Sequence, residues 1–301
     1  MKIRVDLSRR RGYQCRMFEP RPKRILGAFI LLIWMSAPAP AWPAESDTAT
    51  PERPAEYMIY QYPDTILVLK IDVKEAEFSL RTIGPENAQI KSSSVTGRRI
   101  GPVYQYIGAP ELPRQLMIEV TPARALDRSA ISLEVLQFSP GDRNTAPLAR
   151  AYQMVSLGTE TSHSTDASTW ASKAYSLRNA ADIFASLGRE EMRLWSEYFA
   201  AHLVLHQLKD PLMAAELVSA VQSAAARAGF EEVELAARTL EGDAILQLAA
   251  GSGERPAQIY YERAHAVFSE VAVLAERLAW DAERGRALFQ DGRVYEMQGE
   301  P

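Results

Sequence analysis

The apolar residues of this chain change their period once, near Pro140, and that switch limits the folds open to it. Before it, from Tyr57 to Phe138, the pattern alternates. Leu67, Leu69, Ile71 and Val73 alternate with Val68, Lys70 and Asp72, and Phe78 and Leu80 with Ser79 and Arg81. Leu116, Ile118 and Val120 alternate with Met117 and Glu119, and Ile131, Leu133 and Val135 with Ser132 and Glu134. Successive strand residues point to opposite faces, so one side of each run goes to a core and the other to water. Turn formers separate the runs at Gly84-Pro85-Glu86-Asn87, Gly97, Gly101-Pro102, Gly108-Ala109-Pro110 and Pro113. Six or seven short strands between 56 and 140 predict a small antiparallel β-sandwich.

After Pro140 the period becomes helical. A short helix is expected near 147–157 inside a linker spanning 141–169, whose stretch 158–169 is rich in Ser and Thr. From Trp170 onward, breaks at Gly188, Asp210-Pro211, Gly229 and Gly251-Ser252-Gly253 divide the chain into amphipathic segments. Helices are predicted over 170–187, 190–208, 211–228, 230–249, 256–278 and 280–298. Short breaks between consecutive helices favour antiparallel hairpins. The fold class expected is therefore α+β in separate domains: the sandwich first, then an α-helical solenoid over 170–301.

Charge divides the chain differently. Formal net charge is −4, yet residues 1–44 hold nine basic and two acidic residues, and the rest carries −11. An acidic body repels phosphate backbones, which argues against nucleic acid as a partner. Within the basic leader, residues 25–35 read ILGAFILLIWM and are followed by SAPAPAWPA. Basic stretch, short apolar run and small-residue exit together predict a secretory signal over 1–44, cleaved after Ala41 or Ala44. Retained, residues 25–41 would anchor the chain with its body outside. Either way the body is expected in an extracytoplasmic space, touching a membrane only through this segment. Residues 45–55, polar and Pro-containing, are expected to be a linker. The single cysteine, Cys15, lies in the leader, so thiolate zinc sites and thiol nucleophiles are excluded from the body.

Self-similarity is the next test of the helical part. The final segment RALFQDGRVYEMQGEP carries Leu288, Gly292, Tyr295 and Gly299 at spacings of four, three and four. Upstream, Ala257, Tyr261 and Ala264 follow the pattern A-x3-[FY]-x2-A, and Leu177, Ala180 and Phe184 align with Tyr261, Ala264 and Phe268. Gly242 with Ile245 and Ala249, and Ala201 with Val204 and Leu208, repeat the first pattern at separations of 50 and 41 residues. These two patterns resemble the first and second helices of tetratricopeptide repeats. With ILVLKIDVKEAEFSLRTIGPENAQI, RQLMIEVTPA and SAISLEVLQF ahead of the helices, the arrangement resembles the N-terminal part of secreted bacterial CHAT-associated tetratricopeptide proteins. The resemblance implies an exported β module followed by repeats. The caspase-like CHAT domain of such proteins is not in this sequence, so a downstream or separate CHAT domain is one implied partner. The last repeat stops after its first helix at Pro301, as a fragment, a split product or an interface completed by another chain would.

Constellations for chemistry are sparse. His202 and His206 stand four apart in HLVLH, a spacing that can hold zinc, but Leu203 stands where a metalloprotease needs Glu. His163 sits in the polar linker and His265 between alanines, neither in a recognisable motif. Ser92-Ser93-Ser94 with Thr96, Arg98 and Arg99 are expected in a solvated hairpin loop. Tyr57, Tyr60, Tyr62, Tyr104 and Tyr106 could fill core and rim or stack on sugars. Glu231, Glu232, Glu234, Glu241 and Asp243 suggest a solvated acidic face able to attract a basic peptide. No catalytic, cofactor-binding or metal residue is assigned, and no cofactor is expected. The function expected is a non-catalytic scaffold that docks a protein or peptide on its repeats. The alternatives are the regulatory N-terminal part of a caspase-like peptidase, or an envelope- or carbohydrate-binding β module.

Overall fold

The computed structural model describes residues 2–4, 48–73, 77–95, 100–127, 130–139, 141–143, 145–160, 166–252 and 254–298. The strands are β1 (Lys2–Arg4), β2 (Thr48–Ala49), β3 (Ala55–Gln61), β4 (Ile66–Val73) and β5 (Phe78–Ile83). They continue as β6 (Gln89–Val95), β7 (Val103–Ile107), β8 (Arg114–Pro122), β9 (Leu126–Asp127) and β10 (Ile131–Phe138). One antiparallel sheet has the order β1-β10-β4-β7 and another β3-β8-β5-β6, with β2 and β9 as a separate pair. The alternating apolar sets supply the contact between the two larger sheets. Leu67, Leu69 and Ile71 of β4 share a buried cluster with Leu80 of β5 and Leu116, Ile118 and Val120 of β8.

Seven helices follow among the described residues: α1 (Ala146–Thr159), α2 (Ala167–Ser186), α3 (Glu190–His206), α4 (Pro211–Ala228), α5 (Glu231–Ala250), α6 (Glu254–Arg277) and α7 (Asp281–Gln298). Local chemistry sets several boundaries. Asp166 caps α2 by accepting from Ser168 N at 3.0 Å, and Asp210 caps α4 by accepting from Met213 N at 3.0 Å. Gly229 ends α4 in the left-handed region at φ 74°, where a side chain would be strained. Each helix packs on its sequence neighbours, and α3 also touches α1 and α5.

Four sequence expectations change on folding. The face of β4 expected toward water is instead covered: Val68 is fully buried with Ile66, Tyr104 and Phe138 among the side chains of α1 to α3. This joins the strand region to the helices in one apolar cluster, so they are not separate bodies. The stretch 141–169 is not merely a linker, because α1 buries Ala151, Tyr152 and Val155 between β7 and α2. Ser92 to Ser94 belong to β6, paired with β5, and not to a loop. Part of the expected linker 45–55 is also paired, through β2 with β9 and the first residue of β3.

Of the leader, β1 places Lys2 opposite Leu136, Ile3 opposite Val135 and Arg4 opposite Glu134 on the edge of β10. The apolar run 25–35 and its exit, with Gly97, Arg98, Arg99, His163, Gly253 and Gly299, lie outside the described residues. No helix among the described residues is long and apolar enough to cross a membrane.

Candidate interaction surfaces

The strand–helix junction is built around Gly101, Trp195 and Ser156. Gly101 has φ 108°, and a Cβ there would stand 2.4 Å from Cζ3 of Trp195, so only glycine lets the chain pass under this indole. Trp195 packs edge-on against Tyr198 at 5.6 Å and stacks on Phe199 at 5.7 Å. Polar groups at the junction are paired. Ile100 N donates to the Tyr198 hydroxyl at 3.2 Å, and the Tyr104 hydroxyl to Sδ of Met192 at 3.1 Å. Ser156 Oγ accepts from Tyr106 N at 3.0 Å and from Lys91 Nζ at 2.8 Å. A serine of α1 thus satisfies a backbone donor on the outer edge of β7, the kind of group that otherwise recruits another strand.

A cleft of about 500 Å³ opens beside this junction. Lys70 and Glu134 line its sheet side, Glu190 and Glu191 its helix side, and Tyr152 and Phe230 its apolar walls. Lys70 Nζ approaches Glu191 Oε1 at 3.6 Å across it, and Glu190 is held on its far side by Arg193. Burial pushes the Tyr152 hydroxyl above its ordinary range, reinforced by Glu134 and opposed by Arg189. Burial also drives Tyr104 well up, with Tyr152 adding to the effect. Both phenols are therefore neutral hydrogen-bonding groups at neutral pH.

The residues singled out in the sequence scatter. His202 and His206 do face one another, with ring centroids 4.4 Å apart, and Tyr198 lies 6.2 Å from His202. Among the described residues no group of three or more His, Cys, Asp or Glu is placed to hold a metal ion. His265 acquires partners that its sequence neighbours did not reveal: Nδ1 lies 2.6 Å from Asp291 Oδ1 and Nε2 lies 3.3 Å from the Tyr295 hydroxyl, both on α7. Tyr104 is buried and Tyr106 half-buried against the helices, whereas Tyr60 and Tyr62 are about half exposed and meet edge-on at 5.0 Å. The acidic stretch divides. Glu231, Glu232 and Glu234 stand in the first turn of α5, where the helix dipole favours them. Glu241 and Asp243 are buried, the first bound by Arg263 at 2.7 Å and the second accepting from Gln290 at 3.3 Å. They are inter-helix ties, not a solvated face.

The helical part also shows two unequal faces on α7. Its inward stripe is Glu283, Ala287, Gln290 and Val294, small or polar side chains, while Leu288 and Phe289 are 53% and 67% exposed. Comparison with protein families and with curated proteins finds no match to this chain.

Proposed function

We propose that this chain is an exported, non-catalytic scaffold that docks protein or peptide partners on tetratricopeptide-like helical repeats, with a small β-sandwich as a fixed base. The observation that carries the reading is the order of helix contacts. Strong contacts join each helix to the next, and weaker ones join α1 to α3 and α3 to α5, an order that supports stacked hairpins. A bundle closed on itself would bring the first helices against the last. Stacking leaves outer faces in solvent, and here they carry exposed Tyr175, Val273 and Phe289. Export is carried by the basic leader and its apolar run. The sandwich is supported by the two sheets that face one another across one apolar cluster.

Photo-reactive residues placed one at a time at Tyr175, Val273, Phe289 and, on β3, Met58 test the reading in the producing cell. A discrete heavier adduct from helical positions, recovered in an extracytoplasmic fraction, is the expected result. Adducts from Met58 alone, or from no position, would overturn it.

A further inference from the structure

We propose that the cleft beside the junction binds a free α-amino acid with an apolar side chain, held between Arg189 and Glu134 with the Tyr152 hydroxyl at its carboxylate. Such a site goes beyond the docking of a partner on the repeats and would stand without it. Its ground is one phenol. The polar groups of the junction have partners inside the protein. Tyr152, only 7% exposed, instead lines the cleft with a hydroxyl that no group among the described residues bonds. The rings of Tyr104, Phe138 and Phe184 pack around it at 5.1 to 5.9 Å and hold it in place. Buried hydroxyls are as a rule hydrogen-bonded, so this one takes its partner from the contents of the cleft.

The charges around the hydroxyl describe that partner. Glu134 and Glu191 strengthen the phenol's hold on its proton and Arg189 weakens it, so all three lie within electrostatic reach of it. On the helix wall, Glu190 is turned onto Arg193 by bonds of 2.8 and 2.5 Å, and Glu191 meets Lys70 at 3.6 Å. Arg189 has no ion pair among the described residues. It also opens α3, whose first residues Glu190, Glu191 and Met192 line the cleft and receive no side-chain cap. A guanidinium beside an uncapped helix start favours a carboxylate. Glu134 stands on the sheet wall with the opposite sign, the complement of an ammonium.

An acid alone would meet the charges of Glu134 and Glu191, and an amine alone those of Arg189 and Lys70. A free α-amino acid carries both groups on one carbon and answers both walls. Its carboxylate accepts from Arg189 and from the Tyr152 hydroxyl, and its ammonium donates to Glu134. Phe138, Leu148 and Phe230 supply apolar wall for its side chain, and about 500 Å³ is ample for a molecule of this size.

Calorimetric titration of the full chain with L-leucine, L-methionine, L-phenylalanine and L-tryptophan tests the site. At least one should bind saturably, and at least tenfold more tightly than its analogues lacking the ammonium or the carboxylate. For phenylalanine these are 3-phenylpropionate and 2-phenylethylamine. Arg189→Gln and Tyr152→Phe should each weaken binding at least tenfold. Arg189 is exposed and Tyr152→Phe removes only an unbonded hydroxyl, so without ligand both variants should melt no lower than the parent. No saturable binding by any of the four, as when another segment of this chain fills the cleft, would overturn the proposal. Equal binding by either single-charge analogue would do the same, as would binding that both substitutions leave unchanged. A ligand-free Tyr152→Phe that melts below the parent also sinks it, since the hydroxyl would then have a partner in the protein.

Discussion

At Gly242 and Gly292 the same residue type makes opposite predictions. Gly242→Ala drives a methyl into the Phe268 ring and should cost about 1–3 kcal/mol, as overpacking in a tight core does. Gly292→Ala meets open space and should gain about 1 kcal/mol from helix propensity alone. Chemical denaturation of the two variants beside the parent checks both signs. Ser156→Ala is the polar counterpart. Ser156 is buried and accepts from Tyr106 N and Lys91 Nζ, so its loss strands a donor at about 1–3 kcal/mol. The amide of Tyr106 should then exchange hydrogen faster than in the parent. Neither Ser156 nor Trp195 stood out in the sequence, because nothing in a linear pattern says which strand an α1 serine will meet. His265 hid its partner likewise, since Asp291 lies 26 residues away on another helix.

Elements were far more legible than their surroundings. Predicted helices over 190–208 and 211–228 correspond to α3 (Glu190–His206) and α4 (Pro211–Ala228), because period and capping are local and survive folding. The alternation within β4 likewise put Leu67, Leu69 and Ile71 inward. Its other face was misjudged because Val68 shares that face with Lys70 and Asp72, and only the docking of the helices buries it. The start of α2 offers a pH test. Hydrogen bonds from Ser168 and Thr169 hold Asp166 below its ordinary value of 3.8. The folded carboxyl binds protons less readily than the unfolded one, so the cap's contribution is present above that value and lost as pH falls through the folded one. Protection of the Ser168 amide, taken relative to its intrinsic exchange rate, should fall on acidification in the parent, and Asp166→Asn should lack that acid limb.

The molecule as a whole should unfold as one unit, because a single apolar cluster runs from Ile66 and Val68 of the sheet to Val294 of α7. Trp195→Ala removes the side chain that closes the junction over Gly101 and should cost about 3–5 kcal/mol. Far-ultraviolet and tyrosine signals that coincide in the parent's melt should separate in this variant if the junction couples the halves. Alkali attacks the same place. Tyr104 and Tyr152 have raised folded values, so above their ordinary value of 10.0 the unfolded chain releases protons that the folded one keeps. Stability therefore falls as pH rises past that point. In a spectrophotometric titration these two phenols should ionise only together with unfolding.

Synthesis imposes an order on that shared cluster. Ile66 and Val68 are made well ahead of the helices that cover them, for Trp195 follows Ile66 by 129 residues, an interval of roughly 6–26 seconds at ordinary elongation rates. Until α3 has emerged the nascent β part carries an uncovered oily wall, which should make it a client for a holding chaperone. Ribosome-arrested chains ending before residue 190 should be captured by such a factor, and chains arrested well beyond 210 should escape it.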